Sequence, residues 1–357
     1  MIKKECFTAE WIEQVSAELH YNDKNLIEKV IRALSLLEML VKAGCPLVFK
    51  GGTALMLILG KSAHRLSIDI DLICPPGTNI EDYLKSFADF GFINLELVER
   101  KQRDDADIPK SHSKFFYQIA YRNDTDAQSY ILLDVLYEDI HYFRTQQIAI
   151  NCPFIRLEGK PLMVTVPSAE DILGDKLTAF APNTTGIPYY KNGRSCSMEI
   201  AKQLYDVGRL FENVSDLQIT KEAFRKIAVV ELSYRSFGTD IGQVFNDIRQ
   251  TALCISTRGK AGEGDFDLIQ DGIIRVKSFM YKQRYLIDHA IIDAARAAYL
   301  ATLIEKGINE IESYSNNPAD IKDMVIRPSL PNKLNKLRSN LPEAYYYWAK
   351  TSELLEA

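Results

Sequence analysis

The chain has 357 residues, 46% hydrophobic and 25% charged, with a formal net charge of −5. That is more than one ordinary core accommodates and predicts two domains, in a chain with the balance of a soluble globular protein. The negative total excludes a globally basic nucleic-acid binder; an RNA or DNA partner would have to be met by locally clustered Lys and Arg.

Residues 8–43 read as helix, opened by Thr8 and carried by Leu26, Ile27, Val30, Ile31, Leu34, Leu37 and Leu40 at helical spacing. Gly44 and Pro46 end it. Leu47-Val48-Phe49 predicts a short strand, 53–59 a helix stopped by Gly60, and 67–73 a strand. In that strand Ile68, Ile70 and Leu72 face one way and Asp69 and Asp71 the other. A helix is expected over 80–90, strands over 93–100, 115–121, 129–137 and 162–167, and a polar loop over 103–113.

From Ser168 the pattern turns helical, with a polar interruption over 182–194. Helices are expected over 197–211, 220–237, 239–253, 264–282, 284–306 and 317–325. The domain boundary therefore falls near 168, giving 1–167 and 168–357. The six cysteines (Cys6, Cys45, Cys74, Cys152, Cys196 and Cys254) are too scattered for a zinc knuckle or redox pair and read as reduced, mostly buried thiols. No stretch approaches the roughly 20 apolar residues of a membrane span, and no apolar leader opens the chain, so no membrane partner and a cytoplasmic location are expected.

The sharpest feature is Asp69-Ile70-Asp71. Two residues apart on a strand, the carboxylates share a side and repel unless a cation lies between them. Such oxygen ligands suit Mg²⁺ or Mn²⁺, which complete their shell with water and substrate phosphates. Asp134, a lone acid in the apolar run Ile131-Leu132-Leu133-Asp134-Val135, is a candidate third ligand or base; its other reading is an exposed strand-edge acid. Gly51-Gly52-Thr53, between a strand and a helix, lets backbone N–H groups approach a phosphate. Alone, a D-x-D is common on solvated sheet faces and a Gly-Gly is usually only a turn. Their order and short separation make one metal–nucleotide site.

Phe49-Lys50-Gly51-Gly52-Thr53-Ala54-Leu55 and Arg65-Leu66-Ser67-Ile68-Asp69-Ile70-Asp71-Leu72 resemble the AbiEii/AbiGii-type toxins of the DNA polymerase β-like nucleotidyltransferase superfamily. The likeness extends over about 47–211 through Asp175-Lys176-Leu177-Thr178-Ala179 and Lys202-Gln203-Leu204-Tyr205-Asp206. It implies an α+β chain: a polymerase β-like catalytic domain with a mixed sheet and flanking helices, then a helical domain. Catalytic roles are implied for Asp69, Asp71, Lys176 and Asp206, and metal ligation for Asp69 and Asp71 with Asp134. Thr53 and Ser67 are assigned to the triphosphate beside Gly51 and Gly52, with an ordinary strand or cap residue as the other reading of either, and Arg65 to phosphate or to a surface acid. Lys176 alternatively reads as a solvated lysine, and Asp206 as a surface acid paired with Lys202 or Arg209. Two departures stand out: Gln203 replaces a family acid, and 183–192 is an extra polar segment.

The resemblance implies the toxin of a bacterial toxin–antitoxin or phage-defence system. With Mg²⁺ or Mn²⁺ it takes an NTP and moves a nucleotide to an acceptor, RNA such as a tRNA 3′ end, and it has a cognate antitoxin protein. Protein AMPylation or phosphoryl transfer by the same site, or a catalytically silent nucleotide- or antitoxin-binding module, are the alternatives. Lys322, Arg327, Lys333, Lys336 and Arg338 could grip RNA or form a solvated basic face. Tyr345-Tyr346-Tyr347-Trp348 reads as packing of the last helix or of a partner rather than base stacking.

Overall fold

Thr8 caps the first helix, α1 (Ala9–Glu18), its hydroxyl accepting the Trp11 N–H at 3.3 Å. The single helix expected over 8–43 is two. His20 takes φ +52°, and Asp23 then accepts the Leu26 N–H at 3.0 Å to start α2 (Lys24–Lys42). A side-chain cap satisfies an orphan N–H where the apolar period alone would have run on. The computed structural model describes residues 1–98, 110–121, 127–214, 216–234, 238 and 240–357. The expected loop over 103–113 is thus described only from Lys110, and residues 99–100, 235–237 and 239 of expected elements lie outside the description. The described chain forms two units, Met1–Ser168 with Ser278–Arg284, and Ala169–Lys277 with Tyr285–Ala357.

In the first unit β1 (Val48–Lys50) leads into α3 (Gly51–Leu59), and β2 (Ile70–Cys74) follows. With β3 (Asn94–Val98), β4 (Lys110–Gln118) and β5 (Gln128–Tyr137) they make a mixed sheet in the order β1-β2-β5-β4-β3. Only β2–β5 is parallel. The apolar side chains of α2, such as Ile27, Ile31 and Leu34, share a core with Ile70, Leu72, Phe115 and Leu133 of the sheet. The first β4 residues, Lys110 to Ser113, read as loop because they are polar; in the sheet, Ser113 is buried while its neighbours are half-buried or exposed.

The helix expected over 80–90 is two 3₁₀ turns, Ile80–Tyr83 and Phe87–Phe90. So short a segment gains little from an α-helical nucleus, and its apolar side chains reach the core from single turns. A two-stranded ladder completes the unit, β6 (Thr145–Ala149) against β7 (Met163–Pro167). The Thr-Gln-Gln start of β6 carries no strand pattern. Segment 278–284 runs beside the approach to β2: the Leu66 N–H donates to the Phe279 carbonyl at 2.8 Å, and the Tyr281 N–H to the His64 carbonyl at 2.9 Å.

The second unit is helical: α4 (Ala169–Ala179), α5 (Ser197–Phe211), α6 (Leu217–Ser233), α7 (Ile241–Ser256), α8 (Phe266–Val276), α9 (Ile287–Lys306), α10 (Leu337–Asn340) and α11 (Pro342–Glu356). Helix α4 packs on α5 and α6, α7 on α9, and α9 on α11. Where a helix was expected over 317–325 there is one 3₁₀ turn, Pro318–Ile321, capped by Asn317. The polar interruption holds a hairpin, β8 (Tyr190–Lys191) and β9 (Arg194–Ser195), turned by Asn192 and Gly193 at positive φ. Its root is tied down by Asp247, which accepts from the Asn183 N–H, the Asn183 amide and the Thr184 hydroxyl at 2.8–2.9 Å.

Tyr345, Tyr347 and Trp348 are buried, and the Trp348 indole donates to Ser256 Oγ at 3.0 Å; these aromatics pack α11. Asp293, fully buried, lies 3.4 Å from both Arg209 and Arg296 and accepts from the Tyr285 hydroxyl at 3.1 Å. All six cysteines are free thiols. Among the described residues no helix is long and apolar enough to cross a membrane.

Candidate active site

Strand β1 ends at Lys50, which pairs with Asp71 in the antiparallel β1–β2 register. The chain then turns sharply into α3, and Gly51 takes φ +79°. A Cβ on Gly51 would stand 2.1 Å from Asp71 Oδ2, and one on Gly52 would stand 2.7 Å from Ser67 Oγ and 2.9 Å from Arg65 Nη2. The two glycines are therefore spaces that the acidic segment fills. They bring Asp71, Ser67 and Arg65 against the start of a nine-residue helix, whose first N–H groups lack intrahelical acceptors.

Thr53 closes this arrangement from inside. It is fully buried, and its hydroxyl donates to the Asp69 carbonyl at 2.7 Å. That hydrogen bond fastens the acidic segment to α3. Arg65 is also buried, donating to the Leu66 carbonyl at 3.1 Å, and its backbone bridges to Met280. It is therefore not a surface residue.

Asp69 precedes β2 rather than lying within it, because sheet pairing begins at Ile70. The alternation still holds at the centre: Ile70 and Leu72 are buried and Asp71 is half-buried. In the parallel β2–β5 pair Asp71 stands level with Asp134, and in the antiparallel β4–β5 pair His112 stands level with Asp134. Residues opposed in register share a face, so Asp71, Asp134 and His112 form a row across three strands. His112 Nδ1 is hydrogen-bonded to Asp134 Oδ1. Asp134 is thus neither a strand-edge acid nor a lone one. His112 was missed because it falls in a stretch that reads as loop; Asp134 itself is the one indication, since a half-buried carboxylate calls for a partner.

Among the described residues no three His, Cys, Asp or Glu side chains already form a metal-holding cluster. Mg²⁺ typically takes one or two protein carboxylates and fills its shell with water and substrate phosphates. Asp69 and Asp71, half-buried at the mouth of the glycine turn, fit that pattern.

Within the second unit, Lys176 of α4 and Asp206 of α5 form an ion pair of 3.0 Å, their side chains 8% and 2% exposed. Neither is the solvated surface residue of the alternative reading, and Asp206 is paired with Lys176 while Arg209 turns to Glu212 at 3.0 Å and to Asp293. Burying two charges costs several kcal/mol of hydration before their attraction returns anything, so the pair is an expensive way to join two helices.

Residues 34–319 match the family model described as nucleotidyl transferase AbiEii toxin, type IV toxin–antitoxin system. No curated protein matches the chain at a significant level. Among solved structures, JHP933 from Helicobacter pylori is similar at 17% identity, over 79% of this chain and 94% of that one, with a TM-score of 0.42. MenT4, a nucleotidyltransferase toxin from Mycobacterium tuberculosis, is similar at 12% identity, over 82% and 89%, with a TM-score of 0.43.

Proposed function

The chain belongs to the AbiEii family of nucleotidyltransferase toxins of type IV toxin–antitoxin systems, and from that premise we propose that it transfers a nucleotide from an NTP to an RNA end, a tRNA 3′ end being the model acceptor. The observation that carries this reading is the meeting of Asp71, Ser67 and Arg65 at the Gly51-Gly52 turn. There a triphosphate finds helix N–H groups, a hydroxyl and a guanidinium beside carboxylates suited to a divalent ion.

In this proposal Asp69 and Asp71 hold Mg²⁺ or Mn²⁺, which when bound neutralises triphosphate charge and stabilises the displacement. Asp134, steadied by His112, accepts the proton of the acceptor hydroxyl as its oxygen bonds to the α-phosphorus and pyrophosphate leaves. Lys176 is assigned to triphosphate charge, with Asp206 orienting its ammonium; the family pattern and the buried ion pair support this. An antitoxin partner follows from the family; a role in phage defence is a proposal.

The test is incubation of the full chain with each labelled NTP, Mg²⁺ and total tRNA, beside Asp71→Asn and a chelated control. Label on RNA that both controls abolish is expected. Label on protein would move the function to protein modification by the same site. No label on anything, with Asp71→Asn indistinguishable from the parent, would leave a nucleotide- or antitoxin-binding module.

A further inference from the structure

The basic run 322–338 divides in the fold. Arg338 donates to the Ile321 and Lys322 carbonyls, and Arg327 lies within 4 Å of Glu353 and Glu356. Both are occupied in packing the end of the chain. Lys333 and Lys336 instead line a cavity of about 490 Å³, which Arg258 and Lys260 reach from the loop between α7 and α8. Its floor is apolar, made by Ile291, Leu337 and Leu341.

Four cations meet one carboxylate there, Asp288, which Arg258 holds at 2.9 Å. Lys260, Lys333 and Lys336 are exposed, and among the described residues none lies within ion-pair distance of a carboxylate. The loop that carries Arg258 and Lys260 is pinned. The Thr257 hydroxyl donates to the Leu253 carbonyl at 2.8 Å and accepts the Ala261 N–H at 2.9 Å, while the Gly259 N–H reaches the Cys254 carbonyl at 2.8 Å.

Arg258 and Lys260 complement the negative end of α7. Lys333, brought from far along the chain, donates to the Lys260 carbonyl; neither account extends to Lys336, brought to the same cavity. Converging like charges repel, and they do so here in a chain whose total is −5. We propose that this cavity docks the sugar–phosphate backbone of the RNA acceptor; the proposal rests on the reading of the acceptor as RNA. The cations are exposed and spread over two segments, as suits a long polyanion, whereas a small anion needs buried donors converging on one point. Lysines as rotatable point charges grip phosphates without reading sequence.

The test uses the full chain and fluorescently labelled total tRNA, with affinity measured between 50 and 200 mM salt. Lys260→Gln/Lys336→Gln spares the Lys333 bond to the Lys260 carbonyl, and Lys260→Arg/Lys336→Arg keeps the charge and controls for folding, with melting temperature followed for both. The Gln pair should weaken RNA binding at least about tenfold and flatten the plot of log affinity against log salt by about 0.7–0.9 per lysine. The Arg pair should retain the parental slope, and NTP binding should be unchanged in both. If the parent labels RNA and the Gln pair binds and labels it equally well, the docking surface is wrong and the RNA reading stands. If the parent labels only protein, or labels nothing, the acceptor reading falls and the docking surface with it.

Discussion

The Asp71 carboxylate occupies the space a side chain at Gly51 would need: an added Cβ would stand 2.1 Å from Oδ2 and 2.9 Å from the carboxyl carbon. Gly51→Ala carries two penalties. Its φ of +79° costs an L-residue roughly 1–2 kcal/mol, and the new methyl displaces Asp71. Gly44 separates them, since its φ is +76° and nothing lies within 4 Å of its would-be Cβ. Gly44→Ala should lower the melting temperature by several degrees, at about 2–4 °C per kcal/mol, and leave nucleotide transfer intact. Gly51→Ala should lower it at least as far and reduce turnover about 100-fold. Equal turnover in the two variants would show that Asp71's placement against Gly51 is immaterial.

His112 and Asp134 give a second contrast. If His112 steadies the carboxylate that takes the acceptor proton, His112→Ala should cost turnover about 10-fold, as loss of an orienting partner does at metal sites. The KM for NTP should barely move. In an Asp134→Asn background the same change should have little further effect, because residues acting through one another are not additive. A full additional loss in that background would show that His112 acts independently of Asp134.

How much of this was legible in the sequence depends on range. The Gly51-Gly52 turn and the Asp69-Ile70-Asp71 strand are local patterns, and both stand where periodicity put them, within one residue for Asp69. Partners are another matter. His112 reaches Asp134 only through β4–β5 pairing, and the polarity of Ser111, His112 and Ser113 hid the strand that carries it. The hydrogen bond that the Thr53 hydroxyl donates to the Asp69 carbonyl spans 16 residues, and no local pattern announces it. The break between α1 and α2, where Asp23 caps the second helix, was hidden by an apolar period that continues across it.

Lys176 and Asp206 are buried together, so single and double substitutions answer different questions. Lys176→Met leaves a carboxylate buried without its cation and should cost about 3–5 kcal/mol of stability. Lys176→Met/Asp206→Leu removes both charges and should recover most of it, read by denaturant unfolding. If the pair also serves the triphosphate, transfer activity should stay low in the refolded double variant. Recovery of activity along with stability would reduce the pair to a structural one.

Asp293 sets a pH dependence in the second unit. Burial pushes its carboxyl up to about 6, outweighing the Arg209 and Arg296 guanidiniums that pull it down. A carboxyl raised in the fold binds its proton more tightly there than in the unfolded chain. Its contribution to stability is therefore fully present below the ordinary value of 3.8 and is lost as pH rises through about 6. The stability of the parent relative to Asp293→Asn should fall between pH 4 and pH 7, by an amount on the order of 3 kcal/mol. Denaturant unfolding of both proteins at pH 4, 5, 6 and 7 reads this directly. A difference that instead grows in the parent's favour with rising pH would mean that the two guanidiniums, and not burial, govern Asp293.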